Sequence, residues 1–112
     1  MAGTLKQAET LILTMLTAGE RHGYGIRQDI IEHTEGTVRL EAGNLYRTIN
    51  GLLENGMVEE ARRRPAAERD DERRRYYRLT AHGRRVLSAE LLRMRALVRL
   101  GETRKLILPE QR

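Results

Sequence analysis

The sequence contains no cysteine, tryptophan or phenylalanine. Without cysteine there are no disulfides and no thiolate metal sites. Tyr24, Tyr46, Tyr76 and Tyr77 are its only Phe, Trp or Tyr residues, so none lies beyond residue 77. Serine occurs once, at Ser88, and no nucleophile–base–orienter set is evident, so acyl-transfer chemistry has no candidate centre. His22, His33 and His82 do not have metal-ligand spacing. The expectation is therefore a non-enzyme with no catalytic residues, no metal and no cofactor. Long apolar runs are also missing. Leu11–Leu13 and Leu106–Leu108 are far too short to span a bilayer, so no membrane partner is expected. Residues 1–7 lack the basic start and apolar stretch of a secretory signal, which makes a cytoplasmic location the expectation.

Arginine, by contrast, is abundant. It supplies 19 of the 21 basic residues in a chain of 112 whose net charge is +5 and whose pI is about 10.2. That length fits one domain. A composition 39% hydrophobic and 33% charged excludes both a disordered tail and a membrane protein. A basic balance points to a polyanion or an acidic surface as partner. The charge is also concentrated. Residues 62–85 hold ten arginines against Glu68, Asp70, Asp71 and Glu72, which leaves the remaining chain at about −1. The planar guanidinium donates two parallel hydrogen bonds to phosphate, so such clustering suits a nucleic-acid surface.

Periodicity predicts a helix over residues 4–18, with Leu5, Ala8, Ile12, Met15 and Leu16 on one face, Thr4 as N-cap and Gly19 as the stop. A second helix is predicted over Tyr24–His33, and "TVRL" (37–40) is a strand candidate. A third helix is expected over "EAGNLYRTINGLLENG", with Leu45, Ile49, Leu52 and Leu53 inward and Asn55-Gly56 as its end. The period then changes. "MVEEARRR" and "RRRYYRLT" form a predicted hairpin around the charged loop "PAAERDDE". From the N-cap Thr80 a last helix is predicted to Leu108, stopped by Pro109, about 40 Å long at 1.5 Å per residue. Its Leu87, Leu91, Met94 and Val98 make a seam suited to another helix. The fold expected is mainly α with a small β-hairpin (α+β), a winged helix-turn-helix over residues 1–79. A C-terminal dimerisation helix over 80–108 and a tail over 109–112 complete it.

Three segments resemble the PadR-like transcriptional regulators: "LTAGERHGYGIRQDI", "GTVRLEAGNLYRTINGLLENGMVEE" and "RRRYYRLTAHGRRVLSAE". The resemblance covers most of residues 11–90. It implies a homodimeric winged-helix repressor on an inverted-repeat operator in double-stranded DNA, commonly released by an effector or stress signal. The single C-terminal helix is similar to the shorter of the family's two size classes. The chain departs from the common pattern in having Arg47 after the Leu-Tyr pair, where many members have proline, and Asn44 where Ser or Thr is common. A winged-helix protein-interaction module and a non-specific nucleic-acid-binding protein are the alternatives.

On this reading the third helix enters the major groove. Gly43, Asn44, Tyr46, Arg47 and Thr48 are its contact candidates: arginine for guanine, asparagine for adenine, threonine for the thymine methyl or a phosphate, and the Tyr46 hydroxyl for a phosphate. Tyr24, at the start of the second helix, is a further candidate. In the wing, Arg63, Arg64, Arg73, Arg74 and Arg75 are expected to meet phosphate or the minor groove, with the tip acids as the competing countercharge. Tyr77 and Leu79 should face the core, and Arg74, Tyr76 and Arg78 the opposite side. Aromatic walls usually hold flat ligands. The C-terminal helix offers only Leu, Met and Val, so titration with planar aromatic compounds is expected to give no tight, saturable binding at a dimer centre.

Overall fold

The computed structural model describes residues 4–61 and 75–110. The elements run α1 (Gln7–Met15), a 3-10 turn (Leu16–Ala18), β1 (Arg21–His22), α2 (Gly23–His33), α3 (Ala42–Glu54), β2 (Val58–Glu60), β3 (Tyr76–Leu79) and α4 (Ala81–Thr103). Helices α1, α2 and α3 surround one core, in which Ile12, Leu13, Ile26, Ile30, Leu45, Ile49 and Leu52 are essentially inaccessible. Fully burying each such side chain contributes about 1.5–3 kcal/mol.

Each helix boundary has a local cause. The Glu9 carboxylate accepts the Lys6 N–H at 2.8 Å, so α1 starts at Gln7 and the expected Thr4 cap lies outside it. His22 caps α2 by accepting the Gly25 N–H on Nδ1 at 3.0 Å. Helix α3 ends through Gly56, whose φ of 75° lets the Met57 N–H turn back to the Leu52 carbonyl at 3.0 Å. Thr80 caps α4 as expected, its hydroxyl oxygen accepting the Gly83 N–H at 2.9 Å.

The sheet has three antiparallel strands in the order β1-β3-β2, so β3 is central. Val58 faces Leu79, Glu59 faces Arg78 and Glu60 faces Tyr77. On the other edge Arg21 faces Tyr77 and His22 faces Tyr76. Tyr77 is buried, as alternation requires, and Arg78 is exposed.

Two further sequence expectations are overturned. Residues 37–40 form no strand. Val38 and Leu40 still pack on the core, but side chains satisfy the segment's backbone: the Thr34 hydroxyl oxygen accepts the Val38 N–H at 3.2 Å, and Arg27 Nε donates to the Leu40 carbonyl at 2.7 Å. The third strand is instead the two-residue β1, too short to show alternation. Helix α4 ends at Thr103, not at Leu108. Lys105 adopts φ 63° and the Leu106 N–H returns to the Gly101 carbonyl at 2.8 Å, closing the helix well before Pro109. At 23 residues α4 is about 35 Å long.

Two helical glycines differ in what surrounds them. A Cβ on Gly83 would run into the Met57 carbonyl, whereas one on Gly51 would meet nothing within 4 Å. Gly83→Ala is therefore expected to destabilise the protein by about 1–3 kcal/mol or more through forced separation of α4 from β2. Gly51→Ala is expected to stabilise it by about 0.5–1 kcal/mol, because α3 has the room and alanine favours the helix. Chemical denaturation of the two variants should show opposite signs.

Candidate nucleic-acid interface

Burying Leu45, Ile49 and Leu52 turns the opposite face of α3 to solvent. Gly43, Asn44, Tyr46, Arg47 and Asn50 are exposed there, and Thr48 is half-buried. The N-cap of α3 is Glu41, whose side chain makes no capping bond, so the first amides of the helix have no side-chain acceptor from the cap. Gly43, in that first turn, has open space where a side chain would project. Folding does not require glycine at this position.

The polar groups on this face are partly committed to each other. Arg47 Nη1 donates to Asn44 Oδ1 at 2.6 Å. The Thr48 hydroxyl donates to the Asn44 main-chain carbonyl at 2.8 Å, so its proton is used inside the helix. Tyr46, 40% exposed, lays its ring across Gly23, where any side chain would collide with it. Tyr24, 58% exposed, is the next residue. The structure thus brings Tyr46 of α3 and the start of α2 together beside the α3 surface.

The wing candidates divide. Arg63, Arg64, Arg73 and Arg74 lie outside the described residues. Arg75 is exposed, and its Nε lies 3.6 Å from a Glu60 oxygen. Arg78 is held from two sides, its Nε 2.7 Å from Glu59 and its Nη1 3.6 Å from Glu20. The hydrogen bond to Glu59, then its charge and that of Glu20, raise the Arg78 pKa further above its already high value. The countercharge for these two arginines comes from strand β2 and the turn before β1, whereas the sequence points only to the loop-tip acids. The Glu59–Arg78 facing pair follows from strand register and could have been found there. Glu20 had no such signal, because its approach depends on β1 joining the sheet. Burial raises the Tyr77 phenol pKa, the charges of Tyr46 and Glu60 add to the rise, and Arg75 opposes it.

The seam on α4 also divides. Leu87 is 2% exposed and belongs to the core of its own chain, so it is not available to a partner. Leu91, Met94 and Val98 are 41%, 45% and 48% exposed. Leu92, Leu97 and Leu100, which a seam of alternating three- and four-residue steps leaves out, are exposed as well. Met94, Leu97 and Leu100 line a shallow groove with Leu5. On its rim Glu90 accepts the Leu5 N–H at 3.3 Å and a bond from Arg93, which holds the Glu90 carboxyl pKa below its ordinary value. Among the described residues no helix is long and apolar enough to cross a membrane.

This architecture recurs in solved structures. A transcriptional regulator from Clostridium thermocellum superposes with a TM-score of 0.71 at 23% identity, covering 86% of this chain and 87% of that one. A PadR family transcription regulator from Clostridium difficile gives 0.71 at 19% identity, covering 88% and 97%. RosR from H. salinarum gives 0.64 at 22% identity, covering 92% and 96%. At these identities the likeness is one of fold. No curated protein matches by sequence. The sequence model of the transcriptional regulator PadR-like family matches residues 12–89, well over half of the chain. With that match and a winged helix whose third helix faces solvent, the chain belongs to the PadR-like family of DNA-binding transcriptional regulators.

Proposed function

We propose that the protein is a cytoplasmic homodimeric repressor of an inverted-repeat operator, with α3 in the major groove and the wing on the adjoining backbone. The observation that carries this reading is the outward face of α3. Arg47 is exposed there and, among the described residues, its one hydrogen-bond partner is the neutral Asn44 amide. Its charge is therefore left to attract phosphate and to read a base edge. Tyr24 and Tyr46 flank the same face and supply uncharged backbone contacts that fix register.

The dimer half of the proposal is supported by α4. Leu91, Leu92, Met94, Leu97, Val98 and Leu100 are all exposed on one projecting helix. Soluble monomers rarely leave a contiguous apolar surface of that kind uncovered. Pairing through α4 sets two α3 helices about one DNA turn, roughly 34 Å, apart and matches protein symmetry to an inverted repeat. A small-molecule effector that releases the complex is compatible with this arrangement.

A mobility-shift titration on an inverted repeat near the protein's own gene, with random DNA as competitor, tests the reading. Tight binding that survives competitor supports it. Salt dependence without preference would mean a non-specific coating protein, and no binding would leave an interaction module. With about six to ten phosphates neutralised, log K should fall against log salt with a slope of roughly −5 to −9. Arg47→Ala is expected to cost about 1–3 kcal/mol and to relax discrimination at one or two base pairs. Leu91→Asp is expected to yield monomers in sedimentation and to lose the coupling between half-sites. A dimer that survives this substitution would place the interface elsewhere.

A further inference from the structure

Asn44 and Arg47 stand one turn apart on α3, both exposed, joined by the 2.6 Å bond from Arg47 Nη1 to Asn44 Oδ1. Arginine has no acceptor atom, so the amide atom that faces it must be the oxygen. The orientation of the Asn44 amide therefore follows from chemistry. The Asn44 main-chain carbonyl is also occupied, by the Thr48 hydroxyl at 2.8 Å. Arg47 differs in this from Arg21, Arg75, Arg78 and Arg93, each of which faces a carboxylate.

These contacts change what the helix can recognise. Asparagine reads adenine with two bonds at once, its oxygen accepting from N6 while its NH2 donates to N7. Here a charged donor already holds one lone pair of that oxygen at short range, so an adenine would have to share the oxygen with Arg47. What α3 turns outward at this point is rich in donors: the Asn44 NH2 and the remaining N–H groups of Arg47. A donor-rich face fits an acceptor-only edge. In the major groove guanine is the base that offers two acceptors, N7 and O6, and no donor.

We propose that Asn44 and Arg47 act as one reader of guanine. Asn44 is the positioning residue that holds the Arg47 fork, and it has no adenine contact of its own. The inference rests on α3 being the DNA-reading helix, as proposed above. It replaces the assignment of asparagine to adenine that residue type alone gives. Restraining the guanidinium before binding also reduces the side-chain freedom lost in the complex.

Selection of randomised duplexes, followed by affinity measurements on the enriched site and its single-base variants, tests this with four proteins: the natural chain, Asn44→Ala, Arg47→Ala and the double variant. Both positions are exposed and alanine favours helix, so all four should fold, which circular dichroism checks. The natural chain is expected to select a guanine at a position where Arg47→Ala loses the preference. Asn44→Ala should weaken selectivity at that same guanine, on the order of ten-fold, and alter no adenine position. The double variant should discriminate no worse than Arg47→Ala alone, the signature of two residues acting as a unit. Loss of an adenine preference at a separate position in Asn44→Ala, adding to the Arg47→Ala effect in the double variant, would show two independent readers and overturn the inference. If the natural chain enriches no sequence, the reading of α3 as a DNA-recognition helix fails, and this proposal fails with it. The two failures are thus told apart by whether the natural chain selects a site.

Discussion

Thr80 lies where α3, the sheet and α4 are fastened to one another. Its main-chain N–H donates to the Met57 carbonyl at 3.1 Å, its hydroxyl donates to the Gly56 carbonyl at 2.6 Å, and the same oxygen accepts the Gly83 N–H at 2.9 Å. One residue thereby connects the end of α3, the entry to β2, the exit from β3 and the first turn of α4. Only a hydroxyl can donate and accept at once in so small a space. The junction also requires Gly83, because a Cβ there would displace the Met57 carbonyl. The mutual aim of α3, the wing and α4 is set within these few residues. In the proposed repressor, two helices held at a fixed spacing would call for such a rigid junction.

The arginines sort by what they face. Exposed ion pairs contribute little to stability, so the pairs on β3 matter less for stability than for orientation and neutralisation. Arg75 and Arg78 are answered by Glu60 and by Glu59 with Glu20. The excess of six positive charges over residues 62–85 falls to four once Glu59 and Glu60, just outside that window, are included. The base of the wing is close to balanced. Arg47, whose partner is a neutral amide, keeps its charge on the face of α3. Clustering in the sequence therefore locates the basic region, but only pairing shows which of the described guanidinium groups face a carboxylate.

The sequence and the structure agree where the physics is local and periodic. The inward row of α3, the Thr80 cap, the Gly56 stop and the burial of Tyr77 all follow from spacing and residue type, whereas the row expected on α1 leaves out Leu13, which is fully buried. They diverge where a distant element decides. The 37–40 segment has strand-like residues, but no neighbouring strand takes up its backbone; Thr34 and Arg27 do so instead. Residues 21–22 become a strand because β3 has a free edge beside them. Leu87 shares a heptad row with Leu91, yet the approach of α4 to α1 puts it in the core. On the candidate interface, the residue types on α3 were legible, but the bond that occupies the Asn44 oxygen was not. A three-residue spacing permits that contact without requiring it.

Helix α4 constrains what can pair with it. Of its 23 residues only Gly83 and Leu87 are buried, so the C-terminal part has little of its own chain to hold it beyond the Leu5 flank. Helices without tertiary packing are marginal in water. The exposed apolar residues do not form one narrow line. Leu91, Met94 and Val98 share a stripe, whereas Leu97 and Leu100 lie about a third to a half turn around the helix from Leu91. A two-stranded coiled coil covers a seam, not an arc of that width. In the proposed homodimer, a single partner α4 against Leu91, Met94 and Val98 would leave Leu97 and Leu100 in water. Covering both requires the partner to present a second element over the groove beside Leu5. The proposed dimer would then be held by an interlocked set of helices, which would resist the relative rotation that changes the spacing of the two α3 helices.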